Sequence, residues 1–85
     1  MKAKTPEELL KMYKRVGSFT AEEPQLAWAE AFDGKFLHIH VDGTPLGAPV
    51  YSGMYDFAGD FVKGKAKVRI GGQDFIIDTA NQTVD

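Results

Sequence analysis

Cysteine is absent from the 85-residue chain, which excludes disulfides, thiolate metal centres and cysteine nucleophiles. Small secreted domains commonly lean on disulfides, so this absence points to a reducing, cytoplasmic setting. Long apolar runs are absent too. No stretch reaches the roughly 20 residues that a membrane-spanning helix needs, and the opening "MKAKTPEELLKMY" has no apolar signal core. The expectation is a chain with no membrane segment. Strong charge of either sign is also missing: the net charge is -2 at pH 7, so attraction to nucleic acid or an anionic surface must come from a local patch. Histidine is scarce, with two in the whole chain, and no cofactor is expected.

What is present suffices for one small core. Hydrophobic residues make up 44% of the chain and ten are aromatic (Trp 1, Tyr 3, Phe 6), so residues 1–85 read as a single domain. Thr5, Pro6 and Glu8 form the cap, first position and third position of a helix start. Leu9, Met12, Tyr13 and Val16 follow at helical spacing, and Gly17 reads as the stop. Residues 20–32, "TAEEPQLAWAEAF", repeat the pattern with Thr20 and Glu23 and carry four alanines, so they are predicted as a second helix ending at Gly34. The competing strand reading turns through Asp33 and Gly34 as a two-residue loop. It sets Glu30 against Leu37 and Phe32 against Lys35, a mismatch of charged and apolar partners.

From Lys35 the period changes to two. Leu37, Ile39 and Val41 share one strand face; Phe36, His38 and His40 share the other. Residues 42–49 carry turn chemistry, and Pro49 would put any following strand at an edge. The segment from Val50 to Phe61 is aromatic but broken by Gly53 and Gly59. Last comes an alternating run on either side of Gly71 and Gly72, predicted as a hairpin with Arg69 opposite Asp74, Lys65 opposite Asp78, Val68 opposite Phe75 and Ala66 opposite Ile77. The fold expected is α+β: one or two N-terminal helices packed on a small, mostly antiparallel sheet ending in a Gly-Gly hairpin. Its core is predicted as Leu9, Tyr13, Val16, Leu26, Trp28, Leu37, Ile39, Val41, Val68, Ile70, Phe75 and Ile77.

Lys63, Lys65, Lys67 and Arg69 occupy every second position, so on a strand all four project from one face at intervals of roughly 6.7 Å. Tyr55, Phe57 and Phe61 share that parity and offer stacking surfaces, which makes the row a candidate nucleic-acid track. Against this, two of the cations face carboxylates across the hairpin, and lysines on a sheet also discourage edge-to-edge aggregation. Ile76 sits on the same face opposite Lys67, out of place on a purely solvated surface. Protein contact therefore becomes the favoured use of the face, with Tyr51, Tyr55, Phe57, Lys67 and Ile76 as candidates.

Catalytic chemistry finds little support. His38 and His40 can converge on one ion, but a zinc site wants a third ligand, and Asp42 lies in a turn. The string matches the His-x-His-x-Asp-His signature of the metallo-β-lactamase family at His38, His40 and Asp42. Gly43 replaces the last histidine, and that family's sandwich is a far longer chain. On an exposed face the two imidazoles would instead make binding pH-dependent. Gly59 to Lys65 spell the start of a P-loop, yet Ala66 replaces the magnesium-binding hydroxyl and a strand follows where a helix is needed. Ser18 and Ser52 lack a nucleophile-elbow signature, and Asp56 with Asp60 is an ordinary surface spacing.

Two fragments resemble the NTF2-like superfamily. The order of "TPEELLKMY", a second helix, "DGKFLHIHV" and "TPLGAPVYSG" is similar to the first half of SnoaL-type members, and "DGKFLHIHVDG" is similar to the final strand of others. The resemblance implies a cone of curved sheet and helices and a small-molecule or metal site near His38 and His40; it carries over no catalytic residue. The reading favoured from the residues themselves is a small non-catalytic cytoplasmic protein-binding domain of the bacterial or phage accessory or inhibitor type, with homo-oligomerisation open. Nucleic-acid binding through Lys63, Lys65, Lys67 and Arg69 is the alternative.

Overall fold

The computed structural model describes residues 2–46 and 55–84. It is α+β and mostly sheet: one short helix, a three-stranded antiparallel sheet and a four-stranded antiparallel sheet. Helix α1 spans Pro6–Met12. Its start follows the capping pattern, with Thr5 N–H donating to Glu8 Oε1 at 2.9 Å and Glu8 N–H donating to Thr5 Oγ1 at 3.2 Å. It ends a turn earlier than the apolar spacing suggests. Tyr13 is already extended, at φ -134 and ψ 153, and Lys14 N–H donates to Glu30 O at 2.7 Å, so the chain leaves the helix to join a sheet. Gly17 is therefore no helix stop. The Trp28 indole lies against it so closely that a Cβ there would stand 2.2 Å from Trp28 Nε1.

The second predicted helix is not formed. Strand β1 (Arg15–Val16) pairs antiparallel with β2 (Leu26–Glu30), and β2 pairs antiparallel with β3 (Phe36–His40). Residues 20–24 make an irregular turn with a cis Glu23–Pro24 bond, and the Thr20 hydroxyl accepts from Leu26 N–H at 3.1 Å rather than capping a helix. Two things mislead in the sequence. The alanines read as helix formers, but Ala27, Ala29 and Ala31 recur at period two, and Ala29 and Ala31 share an apolar cluster with Leu9 and Tyr13. The turn into β3 also has three loop residues, not two: Ala31 N–H donates to Lys35 O at 2.8 Å, Gly34 N–H donates to Ala31 O at 3.0 Å, and Gly34 sits at φ 86. The extra residue shifts the register to Glu30 opposite Phe36 and Ala29 opposite Leu37, and leaves Phe32 exposed in the loop.

The three-stranded sheet is the middle layer. Leu9 and Tyr13 pack on its Ala29, Ala31, Leu37 and Ile39 face. Leu26, with Trp28 and Phe36, packs on the other side against Tyr55, Ala58, Phe61, Ala66, Val68 and Ile77 of the four-stranded sheet and its connections. That second sheet comprises β4 (Phe57–Ala58), β5 (Lys65–Ile70), β6 (Gln73–Asp78) and β7 (Thr83–Val84), in that order. A bridge stitches the two sheets together, Phe36 N–H donating to Tyr55 O at 2.7 Å and Tyr55 N–H to Phe36 O at 2.9 Å. Burial on both faces explains why β3 has no solvated side: Leu37, His38 and Ile39 are all at most 1% exposed. Of the predicted core, Val16, Trp28, Val41 and Phe75 are half-buried. Ile70 is 47% exposed, because it lies at the overhanging end of β5.

Candidate functional site

Cross-strand partners in an antiparallel sheet point to the same side. Ala66, Val68 and Ile77 are buried, so Phe57, Lys65, Lys67, Arg69, Asp74, Ile76 and Asp78 form the outer face of the four-stranded sheet. The register sets Phe57 beside Arg69, Arg69 beside Asp74, and Lys67 beside Ile76. Phe57 is 47% exposed and Ile76 37%. Asp74 lies between two cations, 2.7 Å from Arg69 Nε and 3.3 Å from Lys67 Nζ. Their hydrogen bonds, led by Arg69, hold its carboxyl below the usual carboxylate range.

The row of four cations is shorter than its spacing suggests. Lys63 and Gly64, at φ 52 and φ 79, form a two-residue turn closed by Val62 and Lys65, so Lys63 leaves the strand face. Lys65 does stand across from Asp78, but Asp78 Oδ1 accepts from the amides of Ala80 at 2.9 Å and Gln82 at 3.0 Å. That carboxylate closes its own turn, and Lys65 forms no ion pair among the described residues. The aromatic candidates divide as well. Tyr55 and Phe61 are core residues at 5% and 7% exposure, and Tyr55 OH donates to Asn81 Oδ1 at 2.9 Å. Phe57 alone of that parity set is exposed. Tyr51 lies outside the described residues, as do Pro49 and Ser52.

Sequence reading missed the way the aromatic surface continues past Phe57. The Phe57 ring is 5.8 Å from Phe36, which is 5.8 Å from Trp28, and the Arg15 guanidinium carbon is 5.9 Å from the Trp28 ring. Arg15 Nε also donates to Glu30 Oε1 at 2.6 Å. Parity within one strand carried no signal for this row, since it depends on the three-residue turn and on the bridge between the sheets. Asp56 braces its end: Oδ1 is 2.6 Å from Lys35 Nζ and Oδ2 accepts from Gly71 N–H at 2.8 Å, a structural clamp rather than an acid–base pair with Asp60. Lys35 is the main cause that depresses the Asp56 pKa.

The two histidines do not face solvent together. His38 is 1% exposed and lies between the sheets, its ring 4.6 Å from Phe61 and 6.5 Å from Tyr55. Its Nε2 is 2.8 Å from Gly59 O, and a carbonyl only accepts, so Nε2 carries the hydrogen. Nδ1 is buried without a partner, and burial pushes the imidazole pKa down against the opposing pull of Gly59 and Asp60. His40 is half-buried, opposite Leu26. Among the described residues no three His, Asp or Glu side chains are grouped to hold a metal ion. No helix among them is long and apolar enough to cross a membrane. No family model, curated protein or solved structure matches the chain.

Proposed function

We propose that this chain is a small non-catalytic domain that binds another protein through the outer face of its four-stranded sheet. The observation that carries the reading is the pair of exposed apolar side chains, Phe57 and Ile76, set beside Lys67 and Arg69, which share Asp74. Such a face has apolar anchors inside a polar surround whose charge is partly offset by Asp74, the arrangement of a protein-contact surface. Trp28 and Phe36 extend it as partly buried aromatics. A cytoplasmic accessory or inhibitor role fits a small cysteine-free chain of this kind.

Nucleic-acid binding has less behind it. Asp74 takes both Lys67 and Arg69, which leaves Lys65 on the strand and Lys63 in the neighbouring turn, and non-specific binding draws on several unpaired cations. The test is capture of a partner from the native host by the intact chain, identification, and titration of that purified partner against Phe57→Ser and Ile76→Lys. Either variant is expected to keep its circular dichroism spectrum and weaken binding by about tenfold or more. Unchanged affinity in both would remove the proposal. Retention on a phosphate or nucleic-acid column that falls steeply with salt, and is lost in Lys63→Glu with Lys67→Glu, would favour the alternative.

A further inference from the structure

A second surface lies along the edge of the three-stranded sheet, between β1 and α1. Strand β1 is the outer strand of the three-stranded sheet. Lys14, Gly17 and Thr20 turn their amides inward, to Glu30 O, Trp28 O and Leu26 O at 2.7, 2.9 and 3.1 Å. The amides of Ser18 and Phe19 between them make no hydrogen bond among the described residues. An open sheet edge of this kind is a template for one more strand. Alongside it runs a groove of about 390 Å³, with Pro6, Leu9 and Leu10 of α1 on one wall and Val16 to Phe19 on the other. Leu10 is 52% exposed, although it faces the groove at the middle of an amphipathic helix.

The charge of the N-terminal segment that forms this groove, with Lys4 in its lining, selects the occupant. Residues 1–20 hold five of the chain's ten Lys and Arg but only two of its twelve Asp and Glu. Of these, Arg15 is paired with Glu30, while Glu7 and Glu8 keep their charge, so the segment stays net positive. Lys2, Lys4, Lys11 and Lys14 form no ion pair among the described residues, and Lys4 lines the groove itself. A second copy would bring the same lysines to the junction, where like charges repel. We infer that the β1 edge and its groove bind an extended, acidic segment of another protein as an added antiparallel or parallel strand, alternate apolar side chains dropping between α1 and Val16–Phe19. Main-chain hydrogen bonds to Ser18 and Phe19 would set its position, since side chains on a strand alternate and only every second one can enter the groove.

The probe is a short synthetic peptide alternating Ile or Val with Asp or Glu, set against a counterpart with Lys in place of the acids and one with methylated backbone nitrogens. Fluorescence anisotropy is expected to show saturable binding of the acidic peptide alone. Binding should weaken about tenfold or more in Leu10→Glu and in Lys4→Glu with Lys14→Glu, all exposed positions whose variants keep the fold. The Ser18 and Phe19 amides should gain protection from hydrogen exchange when the peptide is bound. No saturable binding, equal binding of acidic and basic peptides, or full binding by the methylated peptide would each overturn the inference. So would a dimer in sedimentation that Leu10→Glu dissolves, which would make a second copy the occupant. Variants at Phe57 and Ile76 leave this binding unchanged, so the two surfaces stand or fall separately.

Discussion

His38 shows how one side chain changes meaning with its surroundings. On a solvated strand face it would titrate as a surface switch; between two sheets, with Nδ1 buried and unpartnered, it titrates against the fold. The folded protein holds its pKa below the ordinary 6.5, so as pH falls the unfolded chain takes up the proton first. Stability from this group is therefore complete above about pH 6.5 and is lost below it, as pH falls toward the depressed folded value. Urea unfolding at about pH 7.5 and pH 5 should show this slope, and His38→Gln, which keeps a donor in reach of Gly59 O, should flatten it; an equal slope in both proteins would exclude His38 as its source. Gly17 is a second case, where the requirement is space rather than backbone freedom. Gly17→Ala sets a methyl on the Trp28 indole, and overpacking of this kind costs about 1–3 kcal/mol. The fluorescence of the chain's single tryptophan should shift as the ring moves, and an unmoved urea midpoint would count against the contact.

At the scale of elements, β2 is the instructive strand. Its alternation of Ala27, Ala29 and Ala31 with Leu26, Trp28 and Glu30 has period two, yet alanine's helix propensity and the Thr20–Glu23 spacing pull the reading toward a helix. Propensity lost to burial: Ala29 and Ala31 lie against Leu9 and Tyr13, and the opposite face meets the second sheet. Ala29 is wholly buried, so Ala29→Leu should push α1 off the sheet and cost about 1–3 kcal/mol in equilibrium unfolding. In a solvated helix the same change would be close to neutral, so the measurement separates the two readings. The β5–β6 pair behaved differently. There the apolar partners and the Arg69–Asp74 pair agree on one register, and that is the register observed.

For the molecule as a whole, the three-stranded sheet contributes a face to each of the two apolar clusters, and the Phe36–Tyr55 bridge ties the sheets directly. Neither cluster keeps its shape without β2 and β3. Unfolding should accordingly be a single transition, with far-ultraviolet circular dichroism and Trp28 fluorescence giving coincident denaturant midpoints. Separated midpoints would mean that the helix layer and the four-stranded sheet melt independently. The same layering bears on which surfaces are left for partners, because β3 is enclosed while the outer face of the second sheet and the β1 edge lie open.

Local chemistry alone determined the α1 start, where Thr5, Pro6 and Glu8 act within one turn, and the alternation of β3 and β5, where neighbouring residues set which side chains share a face. It also supplied the cross-strand match of Arg69 with Asp74. Tertiary structure decided that residues 26–30 are a strand and that Tyr55 and His38 are interior. The physical reason is common to all of these. Each depends on what a side chain meets from a distant part of the chain, and burial against such a partner outweighs the fraction of a kcal/mol by which local propensity separates one conformation from another.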